Sequence, residues 1–416
     1  MNIAAALAGS RARIRNVETF SSLQANPNFR LYWIGSFVSN FGTWMQSVAQ
    51  GWLVYQLTGS TFMLGVVGFA QSIPFLFLAL FGGVLADRFE RRRLMVWTQT
   101  GLMLLAFLLA GLTLAGVVTV WHVLAIALAN GVVNAFNVPV RQSIISDLVP
   151  KEHLANAIAV NSSQVQLSRF LGPALAGLML ALTNAGWCFF LNAVSFLAVI
   201  WTLVVMDVPP LPPRAPQSPL RSIREGLAYV RAQPTISALL VMAAIPSLFA
   251  LPYQQMLPAF AESVLDAGPS GLGLLQSAAG LGALVGALAV ASLAGRRSGW
   301  LMLAAVVVLG CGLIAFSAST TLWLSLPLLF VTGGASMTYN TLNQGFLQRR
   351  VSDEMRGRVL SLLTMTMFGL QPFGSVEVGT LASFVGPQLA LGFGGAVCVV
   401  AALLALSRWP TLRALR

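Results

Sequence analysis

Gly83-Val84-Leu85-Ala86-Asp87-Arg88-Phe89-Glu90-Arg91-Arg92-Arg93 places six charged side chains within eleven residues, between an apolar run over 60–86 and another over 93–115. Neither apolar run can carry these charges through lipid, yet each run is long enough to cross about 30 Å of hydrocarbon as a helix. The segment therefore reads as a loop at the membrane surface joining two spans. Further along the chain in both directions, the same pattern returns. All but one of the 24 Lys and Arg residues fall into seven clusters: Arg11 to Arg30, Arg88 to Arg93, Arg141 with Lys151, Arg214 to Arg231, Arg296 with Arg297, Arg349 to Arg358, and Arg408 to Arg416. Neighbouring clusters lie roughly 50 to 60 residues apart, enough for two helices of about 20 residues and a turn. The expected fold is an all-α membrane protein of about twelve transmembrane helices. Because Lys and Arg mark cytoplasmic loops, both termini are expected inside. The exception to the clustering is Arg169, within an apolar stretch.

Composition agrees with this class. A hydrophobic share of 57% with 9% charged residues excludes a soluble globule, in which about 25% of residues are charged. The net charge of +12 would suggest nucleic acid in a soluble protein, but membrane orientation accounts for it without that partner. Cys188, Cys311 and Cys398 lie in apolar segments at no metal-ligand spacing, so no metal site is expected. His122 and His153 fall near helix ends without acidic or Cys partners at ligand spacing, which points to surface or capping roles. The absence of a phosphate-binding loop argues against an ATP-driven pump, and no enzymatic constellation is present.

The chain divides into a cytoplasmic tail over 1–28, a first bundle over 29–206, a linker over 207–234, a second bundle over 235–408 and a cytoplasmic tail over 409–416. Spans are expected near 29–56, 60–86, 93–115, 119–148, 153–182 and 186–206, then 235–262, 269–293, 299–318, 321–348, 355–383 and 387–408. In the first tail an apolar run from Ile3 to Ala8 precedes Arg11, Arg13 and Arg15, the reverse of a cleaved secretory signal. The linker holds Pro209, Pro210, Pro212, Pro213, Pro216 and Pro219, which neither a helix nor a span tolerates. After it, Leu220, Ile223, Leu227 and Val230 recur at helical spacing against Arg221, Arg224 and Arg231. This predicts an amphipathic helix on the inner leaflet that tethers the two bundles.

The bundles repeat one another in parallel. Gly68, Gln71, Ser72 and Arg91-Arg92 recur 205 positions later as Gly273, Gln276, Ser277 and Arg296-Arg297; at an offset of 202, Gln142, Glu152, Gly172 and Gly177 recur as Gln344, Glu354, Gly374 and Gly379. A nearly constant offset across several segments implies two six-helix pseudo-repeats.

The opening loop resembles G-x-L-A-D-R-x-x-R-R, the loop motif of the major facilitator superfamily. In that family the Asp and Arg hold the two halves together on the cytoplasmic side while the transporter is open outward. The resemblance thus implies gating roles for Gly83, Asp87, Arg88 and Arg92; the second half departs from the motif, with Ser292 where Asp87 would recur. In helix five, Gly172 and Gly177 permit close packing and Pro173 removes a backbone hydrogen bond, so a kink or a tight interface is expected. The spacing Gly172-Pro173-x-x-x-Gly177 also resembles part of the helix-five element of facilitator-type exporters, without its upstream glycines. Further stretches, Asn28-Phe29-Arg30 through Trp33 to Gly35, Gly42-Thr43-Trp44, Gly51-Trp52, and Asn192 with Ser195, are similar to the subfamily of the enterobactin exporter and the transmembrane secretion effectors. That resemblance implies a bacterial-type inner-membrane exporter of siderophore-like or drug-like molecules.

Polar residues inside spans are costly unless they pair or face water. Helix four carries Asn130, Asn134, Asn137 and Arg141 on one face; the offset of 202 puts Thr332, Ser336, Tyr339 and Asn343 on the same face of helix ten. Helix one adds Asn40, Thr43, Trp44, Ser47 and Gln50. These stripes are expected to line a central substrate cavity between the halves; the alternative is dry interhelical hydrogen bonding, at about 0.6 kcal/mol per bond. Two ionisable residues lie deepest, Glu377 in helix eleven and Arg169 in helix five. A desolvated carboxylate able to take up and release a proton makes Glu377 the coupling candidate, with Arg169 its basic counterpart and the proton the only cofactor expected. The leading expectation is a monomeric secondary transporter that exports a small amphipathic compound by alternating access and proton antiport. A lysophospholipid flippase, a solute:proton symporter, and a receptor or scaffold without turnover are the alternatives.

Overall fold

The computed structural model describes residues 21–88, 90–206, 219–292, 299–413 and 415, leaving out the side chains of 79–88, 219–222 and 410. The tail over 1–20, the prolines of 207–218, Arg296 and Arg297, and the side chains of Gly83, Asp87 and Arg88 therefore lie outside the described residues. What is described is helical, with short turns. The first half comprises α1 (Pro27–Thr58), α2 (Thr61–Arg88), α3 (Arg91–Leu114), α4 (Val120–Leu148), α5 (Lys151–Leu182) and α6 (Ala185–Val205). A linker helix, Pro219–Ala232, leads to α7 (Pro234–Ser263), α8 (Gly268–Ser292), α9 (Gly299–Ser317) and α10 (Leu322–Arg350). The remaining stretch, Asp353–Arg408, turns at Gly386, where φ is 85° and ψ 158°, into α11 (353–385) and α12 (387–408).

Ten helical stretches among the described residues are long and apolar enough to cross a membrane, with Asp353–Arg408 counted as one of them. α1 is not among the ten, although its 32 residues would extend about 48 Å. The polar side chains that lower its hydropathy are those of its expected cavity face.

The turns follow from local chemistry. Prolines open α1 and α7, where no N–H is needed. Gly59 closes α1 in the left-handed region at φ 60°. Thr119 and His122 form a capping box at the start of α4, which gives His122 the capping role expected of it. Every described residue with positive φ (Gly59, Gly116, Asp266, Gly268 and Gly386) sits in a turn at one end of the bundle, opposite the Arg-rich end.

The two halves meet along α5–α8 and α2–α11, and both contacts depend on glycine. A Cβ at Gly177 would sit 2.8 Å from the Gly273 α-carbon, and one at Gly379 would sit 2.9 Å from the Gly65 α-carbon. Thr61 Oγ1 donates to the Gly379 carbonyl at 3.3 Å and Ser277 Oγ to the Phe170 carbonyl at 2.8 Å. These glycine pairs lie toward the turn end, whereas α4 and α10 share no packed interface.

α5 runs unbroken through Pro173. Of the kink or tight interface expected here, the interface is present: Gly172 admits α1, where a Cβ would lie 2.7 Å from that of Trp44 and 3.0 Å from the Phe41 carbonyl, and Gly177 admits α8. Pro173 cannot donate to the Arg169 carbonyl, and that oxygen lies 2.6 Å from where a Cβ on Gly280 would be. The linker helix is docked on protein: Glu225 pairs with Arg358 at 2.9 Å, the Ser352 N–H donates to Tyr229 Oη at 3.4 Å, and Val230 is buried while Leu227 is exposed. Leu412 and Leu415 are likewise buried.

Candidate functional site

The polar face of α4 opens on a cavity of about 210 Å³. Carboxamides from α1, α2, α3, α4 and α6 line it, together with the hydroxyls of α1, the aromatic rings of Trp44 and Phe196, and one ionisable group, Arg141. Asn40, Ser47, Asn130, Asn134 and Asn137 are all lining residues, as expected from the stripes. The wall is braced by its own hydrogen bonds. Arg141 Nη1 donates to Asn40 Oδ1 at 2.9 Å, Asn192 Nδ2 to Gln46 Oε1 at 2.7 Å, and Thr98 Oγ1 to Asn137 Oδ1 at 3.1 Å. Asn134 Nδ2 returns to the Asn130 carbonyl at 3.0 Å. Such bonds hold short amides in fixed orientations, so the chamber stays open and polar in a surrounding that would otherwise collapse on it.

The second-half stripe does not reach this chamber. Tyr339 and Asn343 are 2% and 1% exposed, Tyr339 Oη donates to the Met242 carbonyl at 2.7 Å, and Asn343 Nδ2 donates to Tyr339 Oη at 3.4 Å. Ser336 is half-buried and is not a lining residue. The expectation of a cavity lined equally by both halves is thus corrected: the repeat-equivalent face of α10 packs inward on α7 and α9 of its own half.

Arg169 lies at the contact between the halves. Its guanidinium carbon lies 5.4 Å from the centre of the Trp44 ring, at the contact with Tyr253 and Gln276 of the second half. The space there is about 10 Å³, too small for a substrate. Trp44 is the partition, lining both this crevice and the main cavity. Glu377 is half-buried, makes no ion pair with Arg169, and shares a face of α11 with the exposed Phe373 and Phe384.

At the Arg-rich end, Arg92 turns toward α6 and not toward the other half: Nε donates to the Leu203 carbonyl at 2.6 Å and Nη2 to the Val204 carbonyl at 2.7 Å. It thereby satisfies the open carbonyls at the α6 C-terminus. Arg91 Nη1 binds both oxygens of Asp147 at 2.9 Å, tying α3 to the end of α4.

Sequence reasoning missed Gln99 and Ser36, which line the cavity; Gln99 Oε1 has no partner among the described residues. A usable signal was present, a lone Gln in the apolar helix α3.

A protein-family model described as transmembrane secretion effector, within the major facilitator superfamily, matches residues 17–415. The chain belongs to this family. Its members are membrane transporters and not enzymes, and the chain is a multi-pass membrane protein with a small-molecule cargo. It is similar to the staphyloferrin A transporter of Staphylococcus aureus, 25% identical over 86% of this chain and 90% of that one. It is also similar to the enterobactin exporter EntS of Shigella flexneri, 29% identical over 93% of each chain. Among solved structures, a bacterial homologue of the human lysosomal transporter Spinster in an inward-facing, unoccupied conformation matches with a TM-score of 0.73 at 16% identity, covering 96% of this chain and 99% of that one. The nucleoside transporter NupG matches at 0.72 and 14%, covering 91% and 98%. At these identities the structural likeness establishes the fold.

Proposed function

We propose that this chain exports a small amphipathic organic compound, siderophore-like or drug-like, from the cytoplasm of a bacterium by alternating access and in exchange for protons. The observation that carries the reading is the polar chamber in the first half, set beside a second half that joins it through glycine contacts toward the turn end. Halves packed at one end and unpacked between α4 and α10 are what a rocking transporter needs, because a glycine interface lets rigid helices pivot at close range. With α1 counted as a span and the last stretch divided at Gly386, the chain crosses the inner membrane twelve times with its Arg-rich loops and both termini inside. In this reading Asp87, Arg88 and Arg92 clasp the halves in the opposite, outward-open state, and the protein works as a monomer. The names of the relatives support siderophores as cargo. Glu377, the carboxylate that the sequence places well within a span and away from its ends, supports proton exchange.

Reconstituted vesicles test this directly. With radiolabelled siderophore inside, a pH gradient should drive flux in one direction and reversal of the gradient should slow it. Flux indifferent to both gradients and to Glu377→Gln would sink the antiport, and acceleration in the symport direction would replace it with a symporter.

A further inference from the structure

We propose that the first-half cavity is an anion-recognition subsite, in which Arg141 receives the carboxylate of an organic cargo. The proposal rests on the reading of this cavity as the transport chamber. Three observations carry it. Among the described residues Arg141 is the only ionisable one that lines the chamber, and no described Asp or Glu does. The described ion pairs leave Arg141 without a carboxylate; Asp147, near the same end of α4, is engaged by Arg91. A guanidinium has five N–H donors, and the bond to Asn40 Oδ1 uses one, so the fork that matches a carboxylate remains available.

A cation within a membrane protein that lacks a partner is unfavourable unless a cavity or a ligand answers it. Here the cavity does so, and it offers more than charge. Gln99, only 4% exposed, keeps Oε1 without a partner among the described residues. Buried polar atoms of this kind are rare without a partner to come. The carboxamides that line the chamber would hydrogen-bond a ligand's hydroxyl or amide groups while Arg141 holds its charge. Trp44 and Phe196 supply flat apolar surface for the rest of the molecule. Asn40 acts as the brace that orients the guanidinium, and the residue equivalent to Arg141 in the second half, Asn343, is buried against Tyr339, so the described residues hold one such subsite.

The test is ligand-dependent thermal stabilisation of the full chain in detergent at matched ionic strength, with phthalate as probe and phthalamide as its neutral isostere. Phthalate should raise Tm and phthalamide should not. Arg141→Gln should abolish the shift, whereas Arg169→Gln, on the other side of Trp44, should retain it. Asn40→Ala keeps the cation and removes its brace, so the shift should persist with affinity at least about tenfold weaker; this variant decides the matter if Arg141→Gln does not fold. No stabilisation by phthalate, equal stabilisation by phthalamide, or a shift that survives Arg141→Gln would overturn the proposal. An Arg141-dependent shift without vesicle flux keeps the subsite and removes the transport reading. Flux unaffected by Arg141→Gln does the reverse.

Discussion

Asn130, Asn134, Asn137 and Arg141 on α4 and Thr332, Ser336, Tyr339 and Asn343 on α10 occupy equivalent positions of the repeat and meet different fates. On α4 the short amides leave a chamber of about 210 Å³. On α10, Tyr339 stands where α4 has Asn137, and its ring and hydroxyl fill the equivalent space as far as the Met242 carbonyl. α7 assists, since its π-helical turn at Pro246–Ala250 and Pro252 break the regular path that α1 keeps in the first half. The repeat therefore preserves helix geometry and not chemistry: one half presents a binding surface and the other a packed body against which it can move.

The largest expected effect tests the packed side. Tyr339→Ala should cost about 3 to 5 kcal/mol, the loss for deleting a buried aromatic ring, read as a clear drop in Tm. A loss no larger than that of Asn137→Ala would break the comparison. Next comes the pivot. Gly177→Val places a branched Cβ within 2.8 Å of the Gly273 α-carbon, and overpacking of this kind costs about 1 to 3 kcal/mol. Gly111→Ala, where a Cβ would meet nothing within 4 Å, should leave Tm and flux unchanged. Asn137→Ala, on the open side, removes a hydrogen bond worth about 0.6 kcal/mol in a membrane protein; vesicle flux should fall far more than stability does. The smallest effect belongs to the linker helix. Glu225→Gln breaks the half-exposed pair with Arg358, costs under about 0.5 kcal/mol, and should appear as faster amide exchange over 219–232 with Tm nearly constant.

Much of this was legible because the bilayer is a demanding solvent. Charge clusters and apolar run lengths place the helices to within a few residues, including the boundary near 387, where Gly386 turns the chain. The α1 and α4 stripes were legible for the same reason, since several amides on one face of a span need water, a partner or a ligand. The environment of single residues was not. Arg92 could reach the other half or cap α6, and the proximity of two bare carbonyls at Leu203 and Val204 decides it. Glu377 reads as a core carboxylate from hydropathy alone, yet the rotation of α11 puts it on the face of Phe384. Gln99 was passed over because a lone polar residue carries no periodicity.

The sequence by itself determined an all-helical membrane protein of two related halves, the position of its loops, and which helices carry polar faces, because burial of backbone and charge in lipid admits few alternatives. Tertiary structure alone decided which of two equivalent stripes stays open, since that depends on whether a side chain such as Tyr339 or Asn137 fills the space its neighbours leave. It also decided that Arg141 faces the chamber braced by Asn40 while Arg169 is set against Trp44 at the contact between halves. The surroundings of these two arginines are a matter of packing direction, which, unlike hydropathy, is not a local property of the chain.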